Sequence, residues 1–277
     1  MIYIVVPTFA GVQETKKMLI SLEKNIKKDY KVIIVDDHPE NVTFRAISSN
    51  KVEVFTTKEE LWWVGSVNLG IKLLFEKYNL HDEDTVVIAN NDVQIKKNCF
   101  EILHQEIQKN KYSIVHPRTF DYDLIEVSSG AKVISFFPYI TKHPKSFEKY
   151  KEIIDMGTAR FLMMSGFVLK KVGYINKNLV QYGGDNYFTL SAKKFHNINT
   201  YILRDATCIV DNRQTGIKID NIQNMKELYQ SFFSIKSPNN IKFRYRLFVD
   251  FFGMTGAFFI TLSITLNTIT KFIFRKR

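Results

Sequence analysis

The chain reads as an α/β protein with a mostly parallel sheet, on three observations. Short, β-branched apolar runs alternate with amphipathic helical patterns through the first half. The runs are apolar at consecutive positions, as strands buried on both faces are. Each run also stops at a polar or acidic residue.

Residues 2–6 predict the first strand, followed by Pro7-Thr8. Met18, Leu19, Leu22 and Ile26 then recur at helical spacing among charged residues, predicting an amphipathic helix. Residues 32–35 predict a second strand, ending at Asp36-Asp37, and residues 52–55 a third. Helical spacing returns over 66–77. Residues 85–88 predict a fourth strand, ending at Asn90-Asn91-Asp92, with a helix over 99–108 behind it. Such alternation implies βαβ units with right-handed crossovers, and ligands in these sheets bind beyond the C-terminal strand ends. The polar residues after the strands are therefore expected along one edge.

The second half is less regular. An apolar stretch over 161–169 is interrupted by Ser165-Gly166, and Tyr182-Gly183-Gly184-Asp185-Asn186 opens a helix reaching Phe195. A strand over 201–210 ends at Asp211. Residues 251–270 carry no charge, with Arg246 before them and Lys271, Arg275, Lys276 and Arg277 after. About 20 such residues match the length of a bilayer-spanning helix. Thr261, Thr265 and Thr268, with Asn267, form a polar stripe that suits a helix lying in the membrane interface instead, and a helix packed on the domain itself is the alternative. The division expected is a catalytic domain over 1–235 and a membrane-associating helical segment over 236–277.

With 277 residues, 45% of them hydrophobic, the chain is long enough for one α/β domain and an appendage. Its net charge of +11 favours anionic partners. No recognition-helix, RNP-type or zinc-finger pattern is present, so nucleic acid is not expected. Cys99 and Cys208 lie far apart without CxxC spacing, which argues against a disulfide framework and for a reducing compartment. The short opening run lacks a signal-peptide core, so a cytoplasmic location is expected. Six histidines without HExxH spacing argue against a zinc hydrolase.

Four constellations carry candidate chemistry. Asp92, flanked by Asn90 and Asn91, offers hard oxygen ligands to Mg²⁺ or Mn²⁺, although these residue types also suit a polar turn. Asp36 and Asp37 can accept from a base or ribose, or cap a helix. Asp185, after two glycines at a helix start, suits a general base or an N-cap. The segment Trp62-Trp63-Val64-Gly65-Ser66-Val67-Asn68-Leu69-Gly70 suits a turn that brings backbone N–H groups to a diphosphate; core packing is the ordinary role of either Trp.

In order and spacing these motifs resemble the inverting glycosyltransferases of family 2, particularly rhamnosyltransferase-like members that build bacterial surface polysaccharides. The resemblance rests on VVPTF, the VDD ending at Asp37, LWWVGSVNLGI from Leu61, NNDV from Asn90 as read through Val93, KKVGYIN, GGDNYF and VDNRQTG. It implies a GT-A fold with a Rossmann-like sheet, a nucleoside-diphosphate sugar donor (dTDP-rhamnose or a UDP-sugar), and a lipid-linked or polysaccharide acceptor. It also implies work at an anionic membrane surface on the cytoplasmic face, peripherally or by one C-terminal anchor. Pro7 and Thr8 would line the nucleotide pocket, Asp36 would hold base or ribose, and Trp63, Gly65 and Asn68 would shape the diphosphate side. Asp92 would be the last acid of the metal motif, and Asp185 the base. Asp211 or Asn212 stands where relatives carry a metal-binding or diphosphate-binding His, and Gly184 where they carry an acid. The absence of QxxRW implies single-sugar transfer. A sugar nucleotidyltransferase and a catalytically silent membrane-associated partner of another transferase are the alternatives.

Overall fold

The computed structural model describes all residues except 39, 41–46, 128, 145–148, 212–216, 218–221 and 276–277. The chain begins with β1 (Ile2–Thr8), α1 (Val12–Asn25), β2 (Tyr30–Asp36), β3 (Val52–Thr56) and α2 (Trp62–Glu76). It continues through β4 (Thr85–Ala89), β5 (Gln94–Ile95), α3 (Cys99–Lys109) and β6 (Ser113–Phe120). A hairpin of β7 (Lys132–Phe136) and β8 (Tyr139–Lys142) precedes β9 (Lys151–Ile154), β10 (Phe161–Ser165) and α4 (Gly166–Val172). Last come α5 (Gly184–His196), β11 (Asn199–Ile209), α6 (Met225–Ser231) and α7 (Ile241–Arg275).

Among the described residues one sheet runs β3-β2-β1-β4-β10-β6-β11-β5, with β9 also paired to β11. The β3-β2-β1-β4 half is parallel throughout, whereas β10 is antiparallel to both β4 and β6. All seven residues of β1 are buried. Tyr3, Val5 and Ile33 face a core completed by α2, α4, α5 and the start of α7. Ile2, Ile4, Val6 and Val32 face the opposite core, against α1 and α3. The result is a three-layer α/β arrangement.

Two boundaries differ from the expected ones. β1 runs on through Pro7 and Thr8, which pair with Val35 and Asp36. Pro7 fits because β4 pairs with β1 only as far as Val5, so its missing N–H falls where no ladder bond is needed on that side. α2 starts at Trp62 rather than Ser66. The segment expected as a phosphate-facing turn is therefore largely helix.

The tail departs further. Gly253 has φ 65° and ψ 178°, a left-handed residue inside α7. On a continuous helix, Arg244 and Thr268 would lie about 36 Å apart. Instead Arg244 Nη1 donates to Thr268 Oγ1 at 3.3 Å, so the chain reverses at Gly253 into two antiparallel arms. Phe243, Leu247 and Phe248 of the first arm enter the core beneath α2 and α5. Along the second arm, Thr261 and Thr268 are only 5% and 7% exposed, while Met254, Phe258, Leu262 and Leu266 face outward. The stripe was expected to suit a helix in the membrane interface; Thr261 and Thr268 instead face the protein, while Asn267 is exposed. Thr265 and Thr268 return their hydroxyls to the carbonyls of Thr261 and Ile264, which makes them compatible with an inner face.

Candidate active site

The strand ends gather around a cleft of about 380 Å³. Pro7, Thr8 and Phe9 form one wall, Trp62, Trp63 and Ser66 another, and Gln181, Tyr182 and Lys236 close the far side. Asn91 and Asp37 also line it. Five of the expected residues, Pro7, Thr8, Asp37, Trp63 and Asn91, thus share one cavity although they are spread over the first third of the chain.

Asp37 shows how the wall is held. Its carboxylate accepts from the N–H groups of Leu61 and Trp62, each at 2.6 Å, and from Thr57 Oγ1 at 3.0 Å. Leu61 precedes α2 and has no side-chain acceptor for the free N–H groups of a helix start, so β2 supplies one from outside. Trp62 sits at φ 58°, a conformation a bulky residue adopts only when its surroundings impose it. Replacing Asp37 by Ala is expected to lower unfolding stability by about 2 kcal/mol or more, with Asn losing less. Urea midpoints at neutral pH measure this, and unchanged midpoints would show that the clamp contributes nothing.

Asp36 is buried completely. Its Oδ1 accepts from the backbone N–H groups of Ala10 (3.1 Å) and His38 (3.2 Å), while Oδ2 has no hydrogen-bond partner among the described residues. Asp37, not Asp36, reaches the cleft. Asn91 Nδ2 donates to Thr8 Oγ1 at 3.0 Å, joining the ends of β1 and β4. Asn68 lies away from the cleft: its amide donates to the carbonyl of Ile175 and accepts from the Ile175 N–H, at 2.8 and 2.9 Å. It fastens the loop ahead of α5 to α2. Gly65 lies within α2 against the side chain of Leu61, leaving Ser66 to line the cavity.

Trp63 links the halves of the site. Its Nε1 donates to Asn90 Oδ1 at 3.0 Å, and its backbone N–H donates to Gln181 Oε1 at 3.1 Å. Its ring also occupies the space beside Gly184. A Cβ there would lie 2.9 Å from Trp63 Cζ3 and 2.7 Å from Val64 Cγ2. The glycine ahead of Asp185 therefore has a packing cause.

Asp185 opens α5 and is half-buried. Oδ1 accepts from the Asn186 N–H at 2.8 Å, and Oδ2 more distantly from the Ala159 N–H at 3.4 Å. Burial raises its pKa above the ordinary carboxylate value; those N–H groups and the positive charge of Arg160 oppose the rise. Asp92 is raised as well, first by burial, with Asp211 and Glu14 adding and Arg160 opposing. Arg160 was not expected from the sequence. Its carbonyl accepts from the Asn90 N–H at 3.3 Å, and its side chain is within electrostatic range of both Asp92 and Asp185. Burial lowers its own pKa, against those two acids. A lone Arg before an apolar strand carries no motif; only the pairing of β10 with β4 brings it here. Lys236, in the loop ahead of α7, is the other cation at the cleft that sequence reading missed.

Among the described residues no three His, Cys, Asp or Glu side chains cluster as a complete metal site. The donor set still fits Mg²⁺ or Mn²⁺ arriving with a diphosphate, because such ions take one or two carboxylates and complete their shell from phosphates and water. Asp92 Oδ1 is buried and has no hydrogen-bond partner among the described residues, as a carboxylate kept for a cation would be. Asp211 is the second acid within range. Asn212 and the rest of the VDNRQTG motif through Gly216 lie outside the described residues.

The model of a family described as glycosyl transferase family 2 matches residues 3–172. The low-salt glycan biosynthesis hexosyltransferase Agl10 of Haloferax volcanii is 22% identical over 174 residues, 60% of this chain and 54% of the relative. The chain thus spans about half the length of that curated relative. Among solved structures, GalNAc-T7 with UDP, GalNAc and Mn²⁺ superposes with a TM-score of 0.62 at 11% identity, covering 91% of this chain and 52% of that one. Residues 1–349 of S. aureus TarS in complex with UDP-GlcNAc superpose with a TM-score of 0.56 at 14% identity, covering 90% and 73%. Both likenesses bear on the fold, which is of the GT-A kind.

Proposed function

The chain belongs to glycosyl transferase family 2, and on that premise we propose that it moves one sugar from a nucleoside-diphosphate donor to an acceptor hydroxyl, with inversion. The observation that carries this reading is the joining of a strand-end cleft to a half-buried carboxylate: Trp63 lines the cleft, bonds Asn90 and packs on Gly184, next to Asp185. Pro7, Thr8 and Asp37 receive the nucleoside, and Lys236 faces the diphosphate. Asp185 removes the acceptor proton as the hydroxyl oxygen bonds to C1 and the C1–O bond to the diphosphate breaks. The diphosphate leaves with the electron pair, and Arg160 steadies the charge between the two acids. Asp92, with Asp211, would hold Mg²⁺ or Mn²⁺, which when bound neutralises charge on the departing diphosphate.

A dTDP-rhamnose or UDP-sugar donor is the narrower proposal; the UDP and UDP-GlcNAc named for the two structural neighbours support a nucleotide sugar in general. The acceptor we propose is a lipid-linked or polysaccharide hydroxyl in bacterial cell-surface glycan synthesis, met at the cytoplasmic face of the membrane. Residues 1–235 carry the transfer site and 236–277 the membrane contact. The outward stripe of Met254, Phe258, Leu262 and Leu266 supports that arrangement, while Lys236 adds the start of the second segment to the cleft.

Calorimetric titration with dTDP, UDP and GDP, each with Mn²⁺ or EDTA, tests the reading. One of them is expected to bind in a metal-dependent way. Asp92→Ala is expected to weaken that binding at least about tenfold, a loss of about 1.4 kcal/mol. A folded protein that binds none of the three would sink the proposal.

A further inference from the structure

We infer that the outer face of the second α7 arm and the β7–β8 hairpin together form one surface that seats in anionic lipid headgroups, lying in the membrane plane without crossing it. This deepens the membrane part of the proposed function.

The surface is continuous. Phe137, at the hairpin tip and 67% exposed, packs against Phe259 with ring centroids 5.8 Å apart. The backbone N–H of Tyr139 donates to Ser263 Oγ at 2.9 Å, locking hairpin to helix. On the other side, Phe233 shares an apolar groove with Phe258 and Leu262, and its ring packs at a tilt against Tyr229, centroids 5.0 Å apart. Single exposed apolar residues are ordinary, but a joined patch of large ones marks a binding surface.

Its occupant follows from the rim. Lys132 and Lys142 flank the hairpin, with Lys142 on the same exposed side of β8 as Ile140; Lys242 and Lys271 flank the two arms, all four exposed. Apolar side chains bordered by lysines match an interface with acyl chains beneath and anionic headgroups around.

The fold selects lying over crossing. The second arm has about 22 residues after Gly253, enough by length to span. Its inner face, however, is committed to the protein from Ala257 and Ile260 in the main core to Phe272, which packs with Leu228 and Phe232. A segment bound to the domain along its length can present only its outer side to lipid.

The test is co-sedimentation of the full chain with vesicles of phosphatidylcholine alone and of phosphatidylcholine mixed with phosphatidylglycerol. The mixed vesicles are expected to bind the protein, and high salt to weaken binding. Phe137→Glu and Leu266→Glu, both at exposed positions, are each expected to reduce partitioning about tenfold. Ile20→Glu, exposed on α1 in the opposite layer, should leave it unchanged. Equal binding by wild type and Phe137→Glu, or no binding to the mixed vesicles, overturns the inference. So does protein that stays in the membrane after alkaline carbonate washing, the result a spanning helix gives. The assay needs no sugar donor, so an inactive enzyme that binds vesicles this way defeats only the transfer reading.

Discussion

Asp185→Asn is expected to reduce the transfer rate by about 10² to 10⁴ while leaving donor affinity within about twofold. Asn keeps the shape and can still accept from the Asn186 N–H, so α5 and the cleft should hold their geometry. It cannot take the acceptor proton. The loss should therefore fall on turnover, since a base acts mainly in the transition state. The pH profile gives an independent reading. Burial raises the pKa of Asp185, so the base is protonated and lost as pH falls through a value above that of an exposed aspartate. The acid limb of the wild-type rate profile should lie correspondingly high, and the residual activity of the Asn variant should lack that limb. A variant with normal turnover would remove Asp185 from the mechanism.

The second large effect is expected from Gly184→Glu, which places an acid ahead of Asp185, as the family resemblance implies. The resemblance alone would make it a gain. The packing makes it a loss, because even the Cβ collides with Val64 and Trp63, and overpacking of this kind costs about 1–3 kcal/mol or more. Displacing Trp63 should also break its bond to Asn90 and misplace Asp185, so activity and stability fall together. Gly184→Glu combined with Trp63→Ala should recover part of the lost stability, since the two residues contend for the same space. Thermal melts of the two single variants and the double measure the coupling. Simple additivity would show that the clash lies elsewhere.

Much of the parallel half was legible because its signals are local. Consecutive β-branched residues mark β1, β2 and β4, and the polar residues closing them fall on one sheet edge as expected. In the other half β11 was legible, over 201–210, but most of its neighbours were not. β6 is broken in pattern by His116, Pro117 and Arg118, and the short β7, β8 and β9 are only partly buried. β6 and β9 find their partners far along the chain. The site divides similarly. Asp37 and Asn91 lie at strand ends where the pattern pointed. Lys236 and Gln181 reach the cleft, and Arg160 reaches Asp92 and Asp185, through tertiary packing, which leaves no spacing to read. The turn at Gly253 was hidden for the opposite reason: an uncharged run carries a strong membrane signal that conceals one left-handed residue.

The reversal of the tail also fixes an order of assembly. Phe243, Leu247 and Phe248 fill the space under α2 and α5, yet they are made after both of those helices. Until they leave the ribosome, Val64, Val67 and Phe188 lack part of their cover. The interior is thus sealed by the segment whose other arm carries the exposed apolar side chains. Closing the core and presenting that apolar arm depend on the same stretch of chain. A shortened chain stopped before residue 243, made to obtain a more soluble enzyme, would lose both at once.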